Sequence, residues 1–72
     1  MAQKSPTVHV EKLIKGGFFQ DGKTDLEVIG ELKVRGFRYS RGNIAATLLR
    51  FVRKEVLRRE KADGSYKYFS RN

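Results

Sequence analysis

The chain has no cysteine and one histidine, His9. The first absence removes disulfide staples, thiolate metal sites and cysteine nucleophiles together, and it fits a reducing compartment. The second leaves no pair of imidazoles to hold a metal ion, and His9 reads as a surface residue near the N-terminus. No stretch approaches the roughly 18 apolar residues of a membrane span. No apolar run of signal-peptide length follows Met1-Ala2-Gln3-Lys4-Ser5-Pro6. These absences lead to the expectation of a soluble cytoplasmic protein without metal, cofactor or membrane partner. At 72 residues there is room for one core, and a chain of about this size buries only some 60% of its unfolded surface.

What is present is positive charge, unevenly placed. Residues 1–34 carry five lysines against five acids, whereas residues 35–72 carry eleven basic residues against Glu55, Glu60 and Asp63. The whole net charge of +8 therefore lies in the second half, with all eight arginines. A surplus segregated in this way is the footprint of a polyanionic partner. A solvated face that only keeps the chain soluble is the plainer alternative.

Residues 1–6 read as a loose arm and 7–72 as one domain. Val10, Leu13, Ile14, Gly17 and Phe18 fall on one helical face. Ser5-Pro6 or Thr7 suits the start of that helix, although the β-prone Thr7-Val8-His9-Val10 leaves an extended start open. Gly16-Gly17 should end the helix and send Phe18 and Phe19 into the core. Thr24-Asp25-Leu26-Glu27 has the form of a capping box opening a second helix. Leu26, Ile29 and Leu32, helped by Val28, form its expected buried stripe. Gly30 in mid-helix suggests that another helix packs closely there, and Gly36 is placed to end the segment. Ser40 should cap a third helix, with Tyr39 packing on Ile44 as a staple, and Ile44, Leu48, Phe51 and Val52 facing inward. Leu57–Lys61 and Tyr66–Ser70 flank Asp63-Gly64, the favoured two-residue hairpin turn. Pairing about that turn sets Glu60 opposite Lys67, Arg59 beside Tyr68 and Leu57 beside Ser70.

From about Val10 to Arg71, this order resembles the winged helix-turn-helix superfamily. The segments that carry the resemblance are Lys23-Thr24-Asp25-Leu26-Glu27, Phe37-Arg38-Tyr39-Ser40, Ile44 to Val52, and Leu57 to Lys61 with Tyr66-Lys67-Tyr68. It implies an α+β fold, mainly α: three helices with a C-terminal β-hairpin wing. One departure is Lys54-Glu55-Val56 where many members carry a glycine, so the helix could run on to Arg58 and shorten the wing. The resemblance implies duplex DNA binding in transcriptional regulation, with a recognition helix at about 41–54 in the major groove and a wing at about 57–70 on the flanking backbone. The compartment would then be the nucleoid or nucleus.

Candidate contacts follow from residue chemistry. Arginine can bridge guanine O6 and N7, and asparagine can bridge adenine N6 and N7. Asn43, Arg50 and Arg53 stand on or beside the outward side of the third helix, with Gly42 and Ala46 allowing close approach, and Arg41, nearer the core side by angle, can still reach out from the first turn. Asn43 fits equally well as a capping partner at the third helical position. Arg38 in the turn, with Lys61 and Lys67 on the wing, suits contacts at the phosphate backbone, and Ser40 joins the nucleic-acid-binding candidates beside its role as a cap. An outward Leu49 suits a thymine methyl, the first helix or a second subunit. Two other functions share this fold, a protein-interaction or assembly module and an RNA-binding version, and a homodimer is compatible with each.

Gly17 to Thr24 fits the phosphate-loop pattern G-x-x-x-x-G-K-[ST]. The motif requires a preceding strand and a parallel sheet, while Val10 to Phe18 repeats with helical period. No nucleotide and no enzymatic activity are expected. Asp21 and Asp25 read as ordinary turn and helix-start acids, and Tyr66 and Tyr68 as packing residues.

Overall fold

The structure, a computed structural model, describes residues 5–71. Three helices, α1 (Pro6–Lys15), α2 (Asp25–Val34) and α3 (Arg41–Arg53), precede an antiparallel hairpin of β1 (Leu57–Ala62) and β2 (Ser65–Ser70). This is the α+β, mainly helical, winged-helix-like layout. Of the arm expected at 1–6, residues 1–4 lie outside the described residues. Ser5 caps α1 and Pro6 opens it: the Ser5 hydroxyl accepts from the Thr7 amide at 3.3 Å, and Pro6 is buried at the first helical position.

The other two helices also begin with side-chain caps. At α2 the Glu27 amide donates to Thr24 Oγ1 at 3.2 Å, and the Thr24 amide donates back to Glu27 Oε1 at 3.0 Å. That backbone hydrogen bond is the main reason the Glu27 carboxyl lies below its usual range. At α3 the Ser40 hydroxyl accepts from the Asn43 amide at 3.1 Å.

All three helices end alike. The amides of Phe18, Phe37 and Val56 donate to the carbonyls of Leu13, Leu32 and Phe51 at 3.0, 2.8 and 2.9 Å, the six-residue closure of a Schellman motif. The residue before each has positive φ: 84° at Gly17, 93° at Gly36 and 62° at Glu55. Glu55 therefore does without glycine what glycine does at the other two ends. α3 stops at Arg53 instead of running on to Arg58, and the hairpin keeps its full length.

The core joins Val10 and Leu13 of α1, Phe19 of the α1–α2 loop, Val28 and Leu32 of α2, Ile44, Leu48 and Phe51 of α3, and Leu57 and Tyr68 of the hairpin. Three expectations are corrected. Leu26 is 57% exposed while Val28 is fully buried, because α2 carries apolar residues around its whole circumference and periodicity alone does not choose its inner face. Gly30 faces open space: among the described residues nothing lies within 4 Å of where its Cβ would stand, so no helix packs closely on it there. His9 is half-buried, stacked on Phe37 with ring centroids 3.9 Å apart.

The hairpin has the expected register, Leu57↔Ser70, Arg59↔Tyr68 and Glu60↔Lys67. Asp63 and Gly64 both have positive φ, 51° and 82°, as a type I′ turn demands. The Glu60–Lys67 pair, however, is not an ion pair: the Glu60 carboxylate is taken by Arg58 on its own strand. The Lys23 amide donates to the Tyr68 carbonyl at 3.0 Å and the Tyr68 amide to Lys23 at 2.8 Å. This bridge covers part of the outer edge of β2 and ties the α1–α2 loop to the hairpin.

Candidate nucleic-acid interface

Along α3 the buried side is Ile44, Thr47, Leu48 and Phe51. Thr47 was not expected there. Its hydroxyl escapes the cost of burial by donating to the Asn43 carbonyl at 2.9 Å. With that side inward, Gly42, Asn43, Ala46, Arg50 and Arg53 are exposed. Asn43 and Arg50 are seven residues apart, so they share one line of the helix. The Asn43 side chain makes no return bond to the Ser40 amide, unlike Glu27 in α2. Its amide is therefore presented outward, while the Ser40 hydroxyl is spent on the cap.

Arg41 stands apart from that line. Its Nε lies 2.8 Å from Asp25 Oδ2, an ion pair joining the starts of α3 and α2. Beyond it, a concavity of about 330 Å³ opens between α3 and the hairpin, lined by Asp25, Arg41, Ala45, Leu49, Arg59 and Tyr66, among others. Leu49 is thus half-buried in a groove wall instead of fully outward. Arg59, which sequence reasoning did not single out, lays its guanidinium 4.2 Å from the centre of the Tyr66 ring on this side. The signal was available: alternation from the buried Leu57 places Arg59 and Lys61 on the same face of β1.

Register separates the two wing lysines. Lys61 lies opposite Tyr66, on the face that Leu57 and Tyr68 turn inward, whereas Lys67 lies opposite Glu60 on the other face. Lys61, Lys67, Arg50 and Arg53 are exposed, and none has an ion-pair partner among the described residues. Arg35, Arg58 and Arg71 do, with Glu31, Glu60 and Glu55. Arg38 is exposed in the α2–α3 turn.

The stretch Gly17–Thr24 folds as a turn around the buried Phe19 and follows a helix. The amides of Gly17, Phe18, Gln20, Gly22 and Lys23 all donate to carbonyls of the chain, and that of Thr24 to Glu27. These are the donors that a phosphate loop would present to its ligand. Among the described residues no group of three acidic or imidazole side chains is placed to hold a metal ion. Among the described residues no helix is long and apolar enough to cross a membrane.

No protein family, curated protein or solved structure matches the chain.

Proposed function

We propose that the protein binds duplex DNA as a small transcriptional regulator of the winged helix-turn-helix kind, without catalytic activity or nucleotide. In this reading Asn43 and Arg50 on α3 meet base edges across the small residues Gly42 and Ala46. Arg38, Arg53, Lys61 and Lys67 hold phosphates. The observation that carries it is the segregation of net charge: the whole +8 lies in residues 35–72, where exposed Arg50 and Arg53 of α3 and Lys61 and Lys67 of the hairpin have no ion-pair partner among the described residues.

Binding to a 16-base-pair duplex, measured by fluorescence anisotropy across a salt series, tests this. Log affinity should fall against log salt with slope about −0.9Z, with Z of roughly 4–6 phosphate contacts. A flat dependence sinks the DNA reading. The groove lined by Ala45, Leu49 and Tyr66 favours a second reading, capture of an apolar side chain from a protein partner. That reading predicts amide shifts around the groove with a protein ligand and none at Asn43 or Arg50 with DNA.

A further inference from the structure

The outer face of α2 is more apolar than an ordinary solvated helix. Leu26 and Val34 are 57% and 85% exposed, and midway between them Gly30 has nothing within 4 Å of where its Cβ would stand. Spaced by four residues, the three form one ridge inclined to the helix axis. They lie on the opposite side from Val28 and Leu32, which seat α2 on the core. Glu27 and Lys33, both exposed, flank the ridge on opposite sides, three residues before and three after Gly30.

We infer that this face is a self-association surface, occupied by α2 of a second copy of the chain. Gly30 is the crossing point, since a missing side chain lets two backbones approach. Helices that pack along rows of four cross at about 50°. A two-fold axis then runs either along the ridge or across it, and charge decides between the two. An axis across the ridge makes the helices antiparallel and brings each Glu27 near the partner's Glu27. An axis along the ridge makes them run in the same sense. It sets each Glu27 against the partner's Lys33, and seats Leu26 and Val34 each on its own copy. The second arrangement satisfies both apolar residues and both charges. Glu27 is equipped for two tasks: Oε1 serves the Thr24 cap, and Oε2 is left for the partner's lysine. The contact is one helix crossing, well below the roughly 1,200 Å² of a standard interface, so the dimer is weak. The exposed side of α3 takes no part in it.

Sedimentation equilibrium of the nucleic-acid-free protein, from about 20 μM to 2 mM, tests the surface independently of DNA binding. Dimerisation with a constant on the order of 0.1–1 mM is expected. Gly30→Glu places two carboxylates face to face at the crossing and should weaken it at least tenfold. Its melting temperature should hold or rise, because Glu is the better helix former at an open position. Glu27→Gln keeps the cap but loses the cross-dimer charge, and should weaken association about two- to fivefold. A monomer throughout the range, or a dimer indifferent to Gly30→Glu, overturns the proposal. Tighter association of Glu27→Gln overturns the arrangement, because it means that Glu27 faces its own copy.

Discussion

The two halves of the chain solve different problems with similar elements. From Ser5 to Gly36, two helices close on glycines, one opens on a complete capping box, and the loop between them is pinned to β2 by Lys23. Charge in this half balances. From Phe37 to Arg71, the cap of α3 is one-sided, its closing residue is Glu55 instead of glycine, and cations far outnumber acids. The difference teaches where each kind of substitution should act. The first half is a frame whose faults appear as lost stability. The second presents a surface whose faults should appear in binding and in its response to salt.

The largest effect expected within the frame is at Gly22. Its φ is 85°, and a Cβ there would stand 2.5 Å from the Phe69 ring. Left-handed strain and overpacking add, so Gly22→Ala should cost about 2–4 kcal/mol. The urea midpoint should drop sharply with no change in charge. A midpoint within error of the parent would mean that Phe69 does not seat on the loop.

The surface should respond in another currency. Asn43→Ala and Arg50→Ala should each lose about 1–3 kcal/mol of discrimination at one base position, leaving the melting temperature and binding to random duplex nearly unchanged. Lys61→Ala and Lys67→Ala should weaken all sequences alike, each lowering the salt slope by about one. Because those lysines lie on opposite faces of the hairpin, the slopes sharpen the comparison. If both fall, the wing straddles phosphates on either side; if one falls, that residue marks the docked face. Site selection that changes with the lysines and not with Asn43 or Arg50 would reverse the assignment of reading and holding.

What was legible in the sequence depended on how local the signal was. Thr24 and Glu27 are three residues apart and satisfy each other, so their capping box needs no tertiary information. Asp63-Gly64 likewise sets the hairpin register, because few dipeptides accept two positive φ angles. Ile44, Leu48 and Phe51 could be placed inward because α3 is polar on its other side. α2 offers no such contrast: Leu26 and Val28 are both expected inward, and only Val28 is buried. Thr47 is buried only because a carbonyl one turn back accepts its hydroxyl, which composition does not reveal. The opposed faces of Lys61 and Lys67 were implicit in the register. The groove beside Arg59 was not, since it depends on how the hairpin leans on α3.

A smaller effect separates the two helix starts. Thr24→Ala should cost about 1 kcal/mol through loss of the hydroxyl half of the cap, while the backbone amide still reaches Glu27. Part of that is the Thr24 hydroxyl's bond to the ionised Glu27 carboxylate, a lesser cause of its lowered pKa than the backbone amide bond, which the substitution keeps. A depressed carboxyl adds stability that is complete above its unfolded value and is lost as pH falls through the folded one. The gap between parent and Thr24→Ala should therefore narrow on acidification below the usual carboxylate range and stay constant from neutrality upward. Ser40→Ala, whose partner Asn43 does not titrate, should show a gap that does not change with pH. Thermal melts at a series of pH values check both.

The smallest effect has the opposite sign and returns to the three helix ends. Gly17 and Gly36 adopt their positive φ without a Cβ, but Glu55 does so at 62° with one. Left-handed geometry costs a non-glycine residue about 1–2 kcal/mol, and glycine recovers it less about 0.5–1 kcal/mol of extra chain entropy. Among the described residues the Glu55 side chain is tied only to Arg71, at 3.9 Å, where both groups are exposed, and such a pair contributes little. Glu55→Gly should thus stabilise the fold by roughly 0.5–1 kcal/mol, seen as a higher urea midpoint with unchanged slope. It also removes one of the three acids of the second half, so duplex affinity should rise slightly at low salt. Glu55→Gln separates the two contributions: it removes the charge, keeps the Cβ, and should shift affinity without the gain in stability. If Glu55→Gly proves less stable than the parent, Glu55 is held by more than the backbone turn, and α3 does not end for the same reason as α1 and α2.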